Sequence, residues 1–544
     1  MAVTAFSLAG PAMAATYAVG ADAACTHTDL ALAISQAQSN PGTDFIHIAR
    51  NQSYSAVALN ISNQSVWLIG GYSDCADTVP SGRTTLNGAG GAADSVIEIL
   101  AGDGSVRDVY LQNLAITGGE PDADFGGGIE IDGSNRVTLN NVSLSGNSSG
   151  RGGAIHFNGT LSGRLIIDAA SQIFGNSATD AGGGIYCSSS AGTLLRFEGN
   201  LFDNEALNGG GIYADHCSVT IIAPTVGDGV YFNRASGSGG GVYARNSSQI
   251  VGLGDAHFLV NFNLNDASFD GGAFWLDNSG LTLVGAQLNS NSAGRNGGAI
   301  HAQSSAAVTM VPFDGCQGGM RCSRLEDNLA GSNGGAINMI GHRLDLRGTW
   351  VMANQAVTAS AIRLANSDAW LQGNIVARNS LAQTVIQSAN SDLRLYYNTV
   401  THNTDFNTAI SGSFGALEIH NSIIYEAPGL STINASSIQS SSFDCIDFSL
   451  LPFIVIGADF IVTDPLFVNP AADDFRLSAN SPLIDYCYNP TATSVPRLLD
   501  IDGQQRGFDA PGVPNHSGPF DLGADEWSDQ LYFDGFETPQ IPTG

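Results

Sequence analysis

Along the middle of the chain, one apolar anchor after another follows a pair of small residues. The phrase reads Gly126-Gly127-Gly128-Ile129, Gly152-Gly153-Ala154-Ile155, Gly182-Gly183-Gly184-Ile185 and Gly209-Gly210-Gly211-Ile212. It continues as Gly239-Gly240-Gly241-Val242, Gly271-Gly272-Ala273-Phe274, Gly297-Gly298-Ala299-Ile300 and Gly334-Gly335-Ala336-Ile337. Weaker echoes follow at Ser360-Ala361-Ile362, Thr384-Val385-Ile386 and Thr408-Ala409-Ile410. Most anchors stand 24 to 32 residues apart, and the longer gap from Ile300 to Ile337 holds Cys316 and Cys322, as an inserted loop would. A second phrase, apolar-x-x-Asn, precedes the first at near-constant distance: Leu144 with Asn147, Ile173 with Asn176, Leu288 with Asn291, and on to Val400 with Asn403. Between the phrases the text alternates with period two, as in Val137-Thr138-Leu139 and Val142-Ser143-Leu144. That period makes strands with one buried face.

A unit of about 25 residues cannot bury that face alone, so it stacks on neighbours about 4.8 Å away. The pattern predicts an all-β fold, a right-handed parallel β-helix with three short strands per coil. Gly and Asn are expected at the corners because both tolerate positive φ, and the Ile anchors are expected to pile into an internal column. Residues 28–38 place Leu30, Ala33, Ile34 and Ala37 on one helical face, which suits a cap on the open first coil. After about residue 461 the repeat stops and the text turns rich in Asp and Pro. The predicted organisation is a leader over 1–24, a cap and first coils over 25–110, and β-helix repeats over 111–420. A β-rich C-terminal region then covers 421–527, with a tail over 528–544.

Composition narrows the function. Charged residues make up only 13% and the net charge is −30, with Arg supplying all 20 basic residues. So acidic a surface repels phosphate backbones and anionic lipid, which argues against nucleic-acid binding. The absence of lysine removes Schiff-base chemistry and lysine-dependent lyase sites. The apolar start ends in Ala12-Met13-Ala14, an A-x-A type cleavage site without a basic n-region. Eight cysteines agree with an oxidising compartment. Cys25 with Cys75, Cys187 with Cys217, Cys316 with Cys322, and Cys445 with Cys487 are pairs suggested by proximity. The apolar run over 450–462 is broken by Pro452 and Asp459, so no spanning helix is expected.

The paired phrases resemble the GGA[ILV] and FxxN repeats of chlamydial-type polymorphic outer membrane proteins, over roughly residues 129–410. That resemblance implies a β-helical surface protein, several family members being implicated in adhesion. This chain usually replaces Phe before Asn, and nothing in it resembles a translocating C-terminal barrel. The C-terminal part is similar to the choice-of-anchor Q domain of bacterial β-helix proteins. The similarity rests on Asp464-Pro465-Leu466-Phe467, Ser481-Pro482-Leu483-Ile484-Asp485, Asp500-Ile501-Asp502-Gly503 with Arg506, and Asp521-Leu522-Gly523-Ala524-Asp525-Glu526. It implies no particular activity.

Alternation also predicts which side chains face outward beside the Gly-Gly corner. His156, Tyr186, Tyr213, Tyr243, Trp275 and His301 are expected on successive coils, with Asn158, Ser188, Asp215, Arg245, Asp277 and Gln303 beside them. Such a ladder suits stacking of sugar rings flanked by hydrogen-bonding groups. Aromatic pairs that simply stabilise the sheet are the competing reading. Asp215 and Asp277 would lie two coils apart, about 9.6 Å by strand spacing, near the range of inverting carboxylate pairs. No pectate-lyase-like Arg-x-Pro-x-x-Arg or polygalacturonase-like Asn-Thr-Asp is present. Asp500, Asp502, Asp521, Asp525 and Glu526 could ligate Ca²⁺, but Asx-turn chemistry explains Asp-Gly equally well, and no cofactor is expected. The reading is a secreted or surface-exposed bacterial β-helix that recognises a polysaccharide or surface protein. The alternative is a polysaccharide lyase or glycoside hydrolase.

Overall fold

The computed structural model describes residues 14–528, apart from 63, 91–93, 102–104, 122–124, 256, 314–321, 428–429, 451–458 and 489–498, and apart from the side chains of 190, 191 and 436. The chain divides into two compact units, Met1–Thr220 and Ile221–Gly544. Each is a stack of parallel coils, and nearly every regular element is a strand.

The first unit opens with the strand Thr16–Val19, paired in parallel with Asp44–Ala49. Helix Leu30–Ser39 buries Leu30, Ala33, Ile34 and Ala37, the four positions its periodicity selects. Asp29 caps it, accepting from the Ala31 and Leu32 amides at 2.8 and 3.1 Å. The anchors stack in register, Ile129 on Ile155 and Ile155 on Ile185, all without solvent exposure. In the second unit the column runs Val242, Phe274, Ile300, Ile337, Ile362, Ile386, Ile410 and Ile433. Parallel coils bury both the column and its hydrogen-bonded backbone, which is why the inward positions are almost uniformly apolar.

The corners differ from expectation in an informative way. Asn141, Asn278 and Asn366 take the left-handed conformation as expected, but the Asn of the apolar-x-x-Asn phrase does not; the residue before it does. Gly146, Gly175 and Asp203 occupy it in the first unit, and Phe232, Leu264, Ser290, Asp327 and Ala353 in the second. The Asn side chains instead turn inward and hydrogen-bond from coil to coil. Asn147 Nδ2 donates to Asn176 Oδ1 at 3.0 Å and to the Ile116 carbonyl at 3.1 Å, and its backbone N–H reaches the same Oδ1. A carboxamide suits this place because it offers a donor and an acceptor to a buried, otherwise unpaired backbone. The two corner glycines have separate reasons. Gly182 has φ +66°, whereas a Cβ on Gly183 would sit 2.5 Å from the Gly210 carbonyl.

Coils carrying the Gly-Gly corner contain a fourth short strand. Ser148–Arg151, Ser177–Ala181 and Glu205–Ala206 form it in the first unit. Arg234–Ala235, Asp266–Ala267, Ser292–Ala293 and Leu329–Ala330 form it in the second. Disulfides join Cys25 to Cys75, Cys187 to Cys217 and Cys445 to Cys487. Cys322 is also disulfide-bonded, while Cys316 lies outside the described residues.

Beyond residue 460 the second unit leaves the repeat. It forms the antiparallel pair Phe467–Asn469 and Asp474–Leu477, joined by the 3-10 turn Pro470–Ala472, and its other described residues run as turns, bends and isolated bridges. This stretch lies along the flank of the late coils. Phe475, Ile501 and Ala524 pack on Met352, Ile375 and Ala377, and Leu477, Leu483, Ile484 and Leu522 pack with Ile423. The Gly523 and Ala524 amides donate to the Asn421 carbonyl and Thr399 Oγ1, both at 2.9 Å.

Candidate functional site

The expected aromatic ladder forms, but it is covered. In the first unit, His156 pairs in register with Glu130 and Tyr186. His156 Nδ1 lies 2.8 Å from Glu130 Oε1. The His156 and Tyr186 rings lie 4.9 Å apart, and Tyr186 stacks on Tyr213 at 5.2 Å and 12°. In the second unit, Tyr243 stacks on Trp275 at 4.0 Å and 14°, and Trp275 on His301 at 6.5 Å and 21°. Asn338 Nδ2 and Arg363 continue the column, at 2.9 Å from His301 Nδ1 and 3.1 Å from Asn338 Oδ1. The ring faces are turned on one another.

Burial has an identifiable cause. Tyr186 is 7% exposed, Tyr213 6%, Trp275 9% and His301 3%. The last residue of a fourth short strand reaches this column: Arg151 sits 5.6 Å from the Tyr186 ring centroid and pairs with Asp180 at 2.9 Å. In the second unit Arg295 pairs with Asp270 at 2.6 Å beside His301. Burial holds His301 below the usual imidazole range, against the pull of Asp270. Asp215 lies on Ile212–Ile222 in the first unit and Asp277 on Phe274–Asp277 in the second. Asp277 accepts from Ser304 Oγ.

A different outward face, on the strand after the corner strand, brings more chemistry together. In the late coils of the second unit Asp345, Trp370, Arg394 and Glu418 stand in register on adjacent coils. Tyr396 and His420 line the next outward row, stacked at 5.3 Å and 10°, with Trp370 5.9 Å from Tyr396. Arg394 lies 5.4 Å from the Trp370 ring centroid. It is held by Asp368 at 2.5 Å, Glu418 at 3.5 Å and Asp392 at 3.6 Å. Tyr396 donates to Glu418 at 3.1 Å, and burial together with that carboxylate pushes its phenol up to about 12. Trp370, Arg394 and Glu418 are half-buried. Indole, guanidinium and carboxylates thus share one accessible face, able to stack on an apolar ring surface while bonding its polar edge. The signal for it lay in the alternation of Asp368-Ala369-Trp370-Leu371-Gln372 and Asp392-Leu393-Arg394-Leu395-Tyr396. The Gly-Gly phrase drew attention to another strand.

The acidic C-terminal group is a set of backbone staples. Asp500 accepts from the amides of Asp502, Gln504 and Glu526. Asp521 accepts from Asp485 and Trp527, Asp525 from Leu477, and Glu526 from Gly507 and Phe508. Arg506 threads among them, 4.2 Å over the Tyr397 ring and 2.6 Å from the Ala524 carbonyl. Desolvation pushes Asp502 and Glu526 up to about 7 and raises Asp500, Asp521 and Asp525. Glu426, which closes the Asn ladder by accepting from the Asn403 amide and side chain, is pushed up to about 8 by burial, as is Asp447. Strongly shifted acids often mark catalysis; here Asp500, Asp521, Asp525, Glu526 and Glu426 spend oxygens on backbone amides.

Residues 170–188 match the Chlamydia polymorphic membrane protein repeat. The matched stretch contains the strand Gln172–Phe174, the ladder residue Asn176, the short strand Ser177–Ala181 and the Gly182-Gly183-Gly184 corner. It is shorter than one coil, and it spans the two elements that define the repeat physically. No curated protein matches the chain.

Proposed function

We propose that the chain is a surface-exposed bacterial β-helix that recognises a glycan without turning it over, through the Trp370 face of its second unit. One observation carries this reading: a half-buried indole stands beside Arg394, Asp368, Asp392, Glu418 and Tyr396 on adjacent coils. The polymorphic membrane protein repeat supports placement at a bacterial surface, and disulfides suit an oxidising compartment. Among the described residues no helix is long and apolar enough to cross a membrane. The C-terminal region, similar to choice-of-anchor Q, acts in this reading as the element that secures the late coils.

A glycan array run with a reducing-sugar assay tests the proposal. Retention without turnover is expected, and Trp370→Ala should lower retention about tenfold or more, a loss of about 1.4 kcal/mol, at unchanged melting temperature. Equal retention by the variant would remove the site. A second reading, a lyase or hydrolase, is favoured by the same carboxylates clustered about Arg394. Turnover of any polysaccharide, lost on replacing Asp368 or Glu418 by the amide, would establish it instead.

A further inference from the structure

The first unit contains a cleft that stands apart from the late-coil face. It measures about 490 Å³ and is lined by Arg50, Gln52, Ser53, Tyr54, Ser55, Arg83, Thr84, Thr85 and Asn87. That size falls in the range of small-molecule sites, roughly 300–1,000 Å³. The loop after Asp44–Ala49 forms one wall and Thr84–Asn87 the other. They are tied by the bridge between Tyr54 and Leu86 and by the Asn87 amide on the Tyr54 carbonyl at 3.0 Å. Tyr54 anchors the floor through its hydroxyl, which donates to the Val19 carbonyl at 3.1 Å.

Its charge runs against that of the chain. Acidic residues number 50 against 20 arginines, yet the lining contains two arginines and no carboxylate. Random sampling of this composition would favour Asp or Glu on any wall. Both guanidiniums keep donors in reserve among the described residues. Arg50 gives Nη2 to Ser81 Oγ at 3.1 Å. Arg83 gives Nε to the Asn141 carbonyl at 2.9 Å and Nη2 to the Ala170 carbonyl at 2.9 Å, leaving Nη1. Those two bonds fix Arg83 against later coils, so its remaining Nη1 is held in place. Arg50 acts at a distance on Asp77, whose oxygen already accepts from the Ser73 amide and hydroxyl. Ser53, Ser55 and Thr85 are exposed on the rim.

We propose that this cleft binds an acidic sugar, its carboxylate received by Arg50 and Arg83 and its hydroxyls by Ser53, Ser55 and Thr85. Guanidinium matches a carboxylate in shape as well as charge, giving paired charge-assisted hydrogen bonds. The hydroxyl rim adds the directional bonds that separate a sugar acid from a bare oxyanion.

Titration calorimetry on the full chain with glucuronate, glucose and inorganic sulfate tests the assignment. Glucuronate is expected to bind, glucose not, and sulfate at least tenfold more weakly. Arg50→Gln should abolish the glucuronate signal at little cost to the coils, because among the described residues its guanidinium makes only an exposed bond, to Ser81 Oγ. Arg83→Gln loosens the coil contacts it makes, so Arg50→Gln is the deciding variant, with its melting temperature as the check on folding. Trp370→Ala should leave glucuronate binding intact, which separates this site from the late-coil face. Absent binding, equal binding of glucose, equal binding of sulfate, or full affinity in Arg50→Gln would each overturn the proposal.

Discussion

The same strand face of the second unit has two fates. In its earlier coils the outward positions are Gln287 and Asn289, then Arg324 and Glu326; in the later ones they are Trp350 and Met352, then Ile375 and Ala377. Register and inward anchors continue unchanged, Leu288 on Leu325 on Val351 on Val376. Only the covering differs: solvent meets the first set, whereas Phe475, Ile501 and Ala524 lie on the second. Backbone geometry therefore does not set the outward residue; what packs over it does. A polar-to-apolar change at constant register marks where the chain folds back on its own flank.

The largest expected effect breaks the covered half. Arg506 is 4% exposed and stands 3.7 Å from Glu526. Arg506→Ala should cost about 3–5 kcal/mol by leaving that carboxylate buried and unpaired, read from denaturant unfolding. Arg324→Ala, on the open half of the same face, should cost under about 1 kcal/mol. Next comes a pair in one column: Met352→Ala should cost about 2–4 kcal/mol, while Glu326→Ala should stay within about 0.5 kcal/mol. Equal costs would mean that the C-terminal stretch does not shield the late coils.

A pH series sharpens the same contrast. Glu426 and Asp447 are pushed up to about 8, and Asp502 and Glu526 to about 7, mainly by burial. In the unfolded chain such groups lose their protons near 4. Between those values the unfolded state binds fewer protons, so stability falls as pH rises and levels off above about 8. Unfolding followed at pH 5 and pH 8 should show the chain markedly less stable at pH 8, and Glu426→Gln should flatten part of the slope. A stability that rises over this interval would contradict burial as the cause. Trp370→Ala should also cost little stability, under about 1 kcal/mol because the ring lies on a half-open face. Its glycan retention, by contrast, should collapse.

Much of this was legible from particular residues. Ile129, Ile155 and Ile185 declared the stacking period, and Leu30, Ala33, Ile34 and Ala37 declared the cap. Cys187 and Cys217, and likewise Cys445 and Cys487, were paired correctly by nearness alone. Alternation also gave the correct side for Tyr186 and Trp275 but not their burial. Facing away from the core differs from facing water once a fourth strand lies outside, and two-residue strands such as Asp266–Ala267 leave little periodic trace. Asp500 and Asp525 showed their carboxylates in the text, but not the amides of Glu526 and Leu477 that make their region a brace.

What the amino-acid order determined by itself was the coil: repeat length, inward column, corner glycines and the Asn line, because each depends on neighbours at a fixed sequence interval. What only the tertiary structure decided was which outward faces stay open. That depends on contacts between residues more than a hundred positions apart, such as Thr399 with Ala524, and no local period encodes a partner at that distance.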